Sequence, residues 1–255
     1  MQESDRHLTV LTDGETFAPD SRFRLSGTLR IGLFPSLFLL ECWNLSEEDV
    51  FRLRNTKELS VLREDSCLAF GQVSDVFCRT VPEGTVTTVA FSLGLDLWEA
   101  QVSLSVPAGV SVSETVRRIL SASGTGIRLL SFPGQDPEPS RGRAFFGRAA
   151  ECIAEALSAA GAGGVLVPAG LCVIPAEALP ATLHLQEKDL TDRPSFADGG
   201  RKMILSTAVT GFRPGEEMTL ETDGNFYSGL ILERMVEADT ASGPWMTQLM
   251  IEVHG

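Results

Sequence analysis

The sequence predicts a mainly β chain of the α+β class, in which two β-rich flanks, residues 1–100 and 176–255, surround a small α+β insert at 101–175. Three observations predict it. Alternating apolar and polar runs, bounded by Gly, Pro, Asn and Asp, fill both flanks. Helical spacing of apolar residues is confined to the middle. Charge follows nearly the same division: residues 1–100 carry nine Lys/Arg and sixteen Asp/Glu, and 165–255 carry six and thirteen, so each is at −7. Residues 101–164 hold six basic and five acidic residues, or +1.

In the first flank, HLTVLTD, SRFRLSGTLRIG and SLFLLECW read as strands, separated by turn formers at Asp13-Gly14 and Pro19-Asp20. FLLECWNLSEEDVFRL then changes character at Asn44-Leu45-Ser46. Ser46 can cap a short helix, Asp49 can complete a capping box, and Glu47, Glu48 and Asp49 place negative charge at the positive end of its dipole. KELSVLRED, CLAFGQVSDVFCR and GTVTTVAFSLG return to strands, with β-branched residues at Val86, Thr87, Thr88 and Val89 suited to a pleated surface. Apart from the capped turn at 46–54, this flank asks for no helix.

The insert changes period. SVSETVRRILSASG offers Ser111 as a cap, Glu114 three positions on, apolar residues at 112, 116, 119 and 120, and Gly124 as a stop, which predicts about three helical turns. After the loop FPGQDPEPSRGR, the stretch FFGRAAECIAEALSAAGAGG places Phe146, Ala149, Ala150, Ile153, Leu157 and Ala160 on one helical face. This predicts a helix over 147–160 that ends at Gly161 and is anchored in the core by Phe146. VLVPAGLCVIP then reads as a hairpin turning at Pro168-Ala169-Gly170.

The second flank reads as RKMILSTAVTGF, EEMTLET, FYSGLILERMVEA and PWMTQLMIEV. FRPGEE puts Pro214 and Gly215 at the central positions of a type II turn, and TDGN makes the next reversal.

The chain has 255 residues, 43% hydrophobic and 22% charged, the composition of a soluble globular protein. MQESDRHLTV shows no secretory signal, and the most apolar run, Ile31 to Leu40, is too short to span a bilayer. Cysteines at 42, 67, 78, 152 and 172 form no CxxC and no metal-like spacing with His7, His184 and His254, so we expect reduced, mostly buried thiols and no metal. A net charge of −13 opposes tight nucleic-acid binding.

No phosphate loop, dinucleotide fingerprint, zinc-protease helix or nucleophile elbow is present. GAGG at 161–164 follows a helix where a phosphate loop must precede one, so it reads as a helix stop. Glu41, Asp75, Asp96 and Glu99 could supply a glycosidase pair, but no spacing singles one out. Arg141, Arg143 and Arg148, with Phe145 and Phe146 between them, suggest base stacking in a basic groove, against which stands the net charge. Trp43, Trp98 and Trp245 could line a sugar site, yet each sits in or beside an apolar run and suits a core or an interface better. The expected catalytic, cofactor-binding and metal residues are therefore none, and no cofactor is expected.

WNLSEEDVFRLRNTKELSVL followed by FGQVSDVF resembles the N-terminal domain of bacteriophage baseplate tail hubs, in which a strand ends at Asn-Leu-Ser, a short helix follows and a strand with a Gly-x-Val step closes the unit. The insert, VSETVRRIL, RGRAFFGRAAECIAEALSAAGA and VLVPAGLCVIP, is similar to the hub order of helix, loop, helix and hairpin. PSFADGGRKMILSTAVTGFRPGEEMTLET and NFYSGLILERMVEADTASGPWMTQLMIEV continue the likeness through the second flank. The N-terminal strands before Asn44 are shorter than usual, and we expect no appended lysozyme-like or spike domain.

The resemblance, to the tail-hub or late control D-like family, implies two β-barrel hub domains, at 1–100 and 176–255, around the 101–175 insert. It implies a homotrimeric, non-enzymatic hub joining the tail tube or distal tail protein to the central spike of a phage or tail-like particle. Assembly would occur in the bacterial cytoplasm, with no membrane partner and with DNA passing an acidic lumen. In such a barrel the 46–54 helix plugs or crosses a strand edge. The rival reading, a carbohydrate-binding or carbohydrate-processing β protein, rests on the tryptophans and a carboxylate pair.

Overall fold

The computed structural model describes residues 6–18, 20–64, 66–168, 170–175, 181 and 183–254. The first flank contains β1 (Thr9–Thr12), β2 (Glu15–Phe17), β3 (Phe23–Arg30), β4 (Ser36–Trp43), α1 (Glu47–Asn55), β5 (Glu58–Arg63), β6 (Ser66–Val81), β7 (Gly84–Leu93) and α2 (Leu95–Glu99). The insert follows with β8 (Gln101–Val106), α3 (Val112–Ser123), β9 (Leu129–Ser131), β10 (Arg143–Arg148), α4 (Ala149–Ser158), β11 (Gly163–Val167) and β12 (Gly170–Ile174). The second flank has β13 (Leu183–Gln186), β14 (Ser195–Ala197), β15 (Lys202–Thr207), β16 (Glu217–Thr222), β17 (Asn225–Asp239) and β18 (Trp245–Val253).

The capped turn forms as its sequence requires. Ser46 Oγ accepts from the Asp49 amide at 3.1 Å, and Asp49 Oδ2 reaches back to the Ser46 amide and hydroxyl. Its placement explains its presence. The strand order β4-β7-β6-β5 separates β4 from β5 by two strands, so α1 must carry the chain across their ends. It does so with Leu53 fully buried in the core.

Thirteen strands form one hydrogen-bonded sheet whose main path runs β14-β15-β18-β17-β3-β4-β7-β6-β5-β1-β2, with β16 on β17 and β13 on β16. Among the described residues this sheet does not close into a barrel, in place of the two barrels expected. The joint is β17. Its first half, Asn225–Leu230, pairs with β16, and its second half, Glu233–Asp239, pairs on the same edge with β3, while β18 occupies the other edge. A strand of 15 residues is long enough to serve both flanks. That length welds them.

Two cores lie on this frame. The larger collects Phe23, Leu40, Leu59 and Phe91 of the first flank, Ile119, Phe145, Ile153 and Leu171 of the insert, and Val236 and Trp245 from the far ends of β17 and β18. The smaller holds Leu185, Met203, Leu220, Ile231 and Leu249 of the second flank. Burying apolar area of this kind is the main favourable term in folding.

Two expectations about helices are corrected. The first flank does contain a second helix, α2, which starts after Gly94 in the left-handed region and buries Leu97. The helix expected from 147 begins only at Ala149, because residues 143–148 form β10, antiparallel to β8. A period of 2 then replaces 3.6: Phe145 points inward at 2% exposure and Phe146 outward at 87%, so Phe145 is the core anchor.

The insert's other expectations hold. Ser111 caps α3, Gly124 stops it at φ 69°, and β11 and β12 pair as a hairpin. Ala169 of that turn lies outside the described residues, as does Pro19 of the first flank's turn. In FRPGEE the Glu216 amide donates to the Arg213 carbonyl at 3.2 Å with Gly215 at φ 89°, the geometry of the type II turn. Asp223 and Gly224, at φ 49° and 73°, make the next reversal.

Candidate assembly surfaces and cavities

The candidate sugar-site tryptophans are dispersed, and an arginine lies over each ring. Arg22 lies 4.2 Å from Trp43 at the end of β4, Arg148 4.9 Å from Trp98 in α2, and Arg63 5.4 Å from Trp245 at the start of β18. Trp245 is buried, whereas Trp43 falls on the outward face of β4. Trp98 also packs on exposed Phe34 at 5.1 Å. Apolar body plus capped face suits packing and interfaces.

The four candidate carboxylates do not converge on one site, although Asp96 and Glu99 are neighbours on one helix. Glu41 is held by Arg79 and Arg24 on the outer face of the sheet. Asp75 is two strands away, across β7, and two residues out of register, which strand geometry puts at roughly 10 Å or more. Asp96 and Glu99 sit three apart on α2, and burial, with the Glu99 charge, raises the Asp96 pKa against hydrogen bonds from the Leu97 amide and its own. Asp96 lines a cleft of about 250 Å³ with Glu58 and Phe70, and none of the tryptophans lines it.

Arg143 and Arg148 are offset by glutamates of α4, at 3.8 Å to Glu155 and 3.6 Å to Glu151. Arg141 and Arg143 border a small recess of about 20 Å³. Among the thiols, Cys42 and Cys152 are buried, Cys67 and Cys172 half-buried and Cys78 exposed, all free. His254 meets the buried Glu217 at 2.8 Å, His184 meets Thr219 at 2.6 Å, and Gly163 and Gly164 belong to β11 rather than to a helix N-terminus. Among the described residues, no helix is long and apolar enough to cross a membrane.

The sequence reading missed the outer face of the continuous sheet. Met246, Glu237, Ser26, Leu39 and Ala90 lie side by side across β18, β17, β3, β4 and β7. Leu37 and Leu39 are exposed there, and Met235, Met246, Met250 and Ile204 are half-buried. Alternation within each strand carried the signal, but only the cross-strand register assembles it into one patch.

Several solved structures share this architecture across nearly the whole chain. A tail protein from Neisseria meningitidis MC58 superposes with a TM-score of 0.70 at 10% identity, covering 96% of this chain and 95% of that one. The fold is that of phage tail proteins. A 43 kDa tail protein of prophage MuSo2 from Shewanella oneidensis gives 0.69 at 11% identity, covering 98% and 96%. A type VI secretion system component of E. coli, described as structurally similar to the T4 bacteriophage tail proteins gp27 and gp5, gives 0.66 at 10% identity, covering 96% and 77%. No protein-family profile and no curated protein matches the sequence.

Proposed function

We propose that this chain is a structural component of the baseplate of a phage tail or tail-like particle, a homotrimeric hub between the tail tube or distal tail protein and the central spike. The observation that carries the reading is the tail-protein fold, matched from end to end rather than over one motif. In this reading residues 1–100 and 176–255 are wall units, welded through β3 and β17, and 101–175 is an insert outside the wall. Three such chains supply six wall units, which suits docking on a six-fold tube.

The open sheet supports it as well. An unclosed sheet with Leu37 and Leu39 exposed beside half-buried Met235, Met246 and Met250 leaves apolar surface that a neighbouring copy would cover. The charge of −13 would let DNA pass the lumen without sticking. The chain would assemble in the bacterial cytoplasm, become part of the particle and perform no catalysis.

Light scattering on the full chain tests this. The expected mass is three times the 27.5 kDa of one chain, alone or on mixing with tube and spike proteins, and Leu39→Glu should lower it. A strict monomer in every mixture, or turnover of peptidoglycan fragments lost on a single carboxylate-to-amide change, would overturn the reading.

A further inference from the structure

Arg234 should not be inside the protein. β17 alternates, and Gly229 and Ile231 face inward, so an unbroken strand would point residue 234 outward. A bulge at Leu232 inserts one residue between Ile231 and Glu233 and reverses the alternation beyond it. Arg234 then turns inward at 6% exposure. A second bulge, at Leu68 between Cys67 and Ala69 of β6, takes the Leu68 carbonyl out of the ladder and presents it to Arg234 Nη2. Arg234 Nη1 donates to the Phe212 carbonyl at 3.1 Å. Among the described residues its Nε has no partner.

The guanidinium forms a wall of a cavity of about 180 Å³ where the three parts of the chain meet: Leu29 and Cys67 of the first flank, Pro168 of the insert's hairpin, and Arg213 and Arg234 of the second flank. Among the described residues no carboxylate lines it. Glu216, whose charge acts on Arg234, is engaged with the Arg213 amide at 2.9 Å. The Cys67 thiol donates to the Ala69 carbonyl at 3.4 Å, and burial raises its pKa against the pull of Arg234, so it supplies no negative charge. Two guanidinium groups thus border one cavity, and among the described residues the buried one donates only to neutral carbonyls. A buried charge in that position is costly unless an opposite charge joins it.

We propose that this cavity binds a small oxyanion, a phosphate or a carboxylate group, on Arg234 and Arg213, and that the bound anion braces the junction of the two flanks and the insert. The volume suits one such group with its remaining water, and Arg213, exposed at the rim, leaves an entry path. Arginine is suited to the task because its planar fork matches both anions.

The test is a titration of the full chain with inorganic phosphate, and in parallel with acetate, at ionic strength held constant with chloride. Unfolding temperature and heat of binding are followed. A saturable rise in either series supports the site, and the series that saturates identifies the anion. Arg213→Gln, an exposed position, should weaken the apparent affinity roughly tenfold or more, the loss expected for one charge-assisted contact. Arg234→Lys should abolish the response. Absence of saturation in both series overturns the proposal. So does a rise that is linear in anion and equal in the Arg213→Gln variant, which is the general effect of an excluded salt.

Discussion

Arg22 and Asp239 lie 217 positions apart and meet at 2.9 Å, closing the start of β3 against the end of β17. The Asp239 side chain is nearly buried, and it also accepts the Ala241 amide at 2.8 Å. Burial acts to raise its pKa, but the Arg22 hydrogen bond, the backbone amides and the Arg22 charge outweigh it and hold the carboxyl below its ordinary value. A depressed carboxylate contributes stability that is present above the unfolded pKa of about 3.9 and is lost as pH falls through the folded value. We therefore expect Asp239→Asn to lose about 2 kcal/mol at neutral pH, with the difference shrinking in acid below pH ~4. Urea midpoints of the two proteins across pH check this, and a pH-independent difference would refute the assignment.

Phe145 and Phe146 should behave oppositely. Phe145→Ala empties a buried site and should cost about 3 to 5 kcal/mol, whereas Phe146→Ala should stay within about 0.5 kcal/mol. Chemical denaturation of each variant distinguishes the strand from the helix that the sequence suggested, which would have made Phe146 the costly one.

What was legible in the sequence was local. The Ser46 and Asp49 box, the Gly124 stop and the Pro214-Gly215 turn depend on neighbours within four residues, and each formed as read. RAFFGRAAEC was ambiguous because a pair of phenylalanines fits either period, and only pairing with β8 decides for the strand. The weld of the flanks joins residues such as Leu25 and Ala238, a pairing that no local pattern encodes. The inward turn of Arg234 was hidden for a sharper reason: a bulge changes which face a residue takes without changing the sequence pattern.

The thiols should react in order of exposure. Cys78 is exposed on β6, while Cys42 lies in the core, where burial and the charges of Glu41 and Asp49 push its pKa far up. Since the thiolate is the reactive form, a disulfide reagent at neutral pH should modify Cys78 first and Cys42 only after unfolding. Peptide mapping after a short exposure checks the order, and early labelling of Cys42 would show that β4 does not lie as described.

Gly215 couples the second flank to the insert. Its φ of 89° suits position three of the type II turn, and its amide donates to the Ile231 carbonyl at 2.8 Å. A Cβ built there would stand 2.6 Å from Ile174 Cδ1 and 2.8 Å from Ile174 Cγ1, at the end of β12. Gly215→Val therefore meets two obstacles: backbone strain of about 1 to 3 kcal/mol for a β-branched residue at positive φ, and a clash with the insert's hairpin. Ile174→Ala makes room and removes only the second, so the double variant should recover part of the loss and leave the strain. We expect the unfolding midpoint to fall most in Gly215→Val and to lie between that value and the Ile174→Ala value in the double variant. If Ile174→Ala added its full cost to that of Gly215→Val, the two sites would be independent, and the turn would not rest against the hairpin.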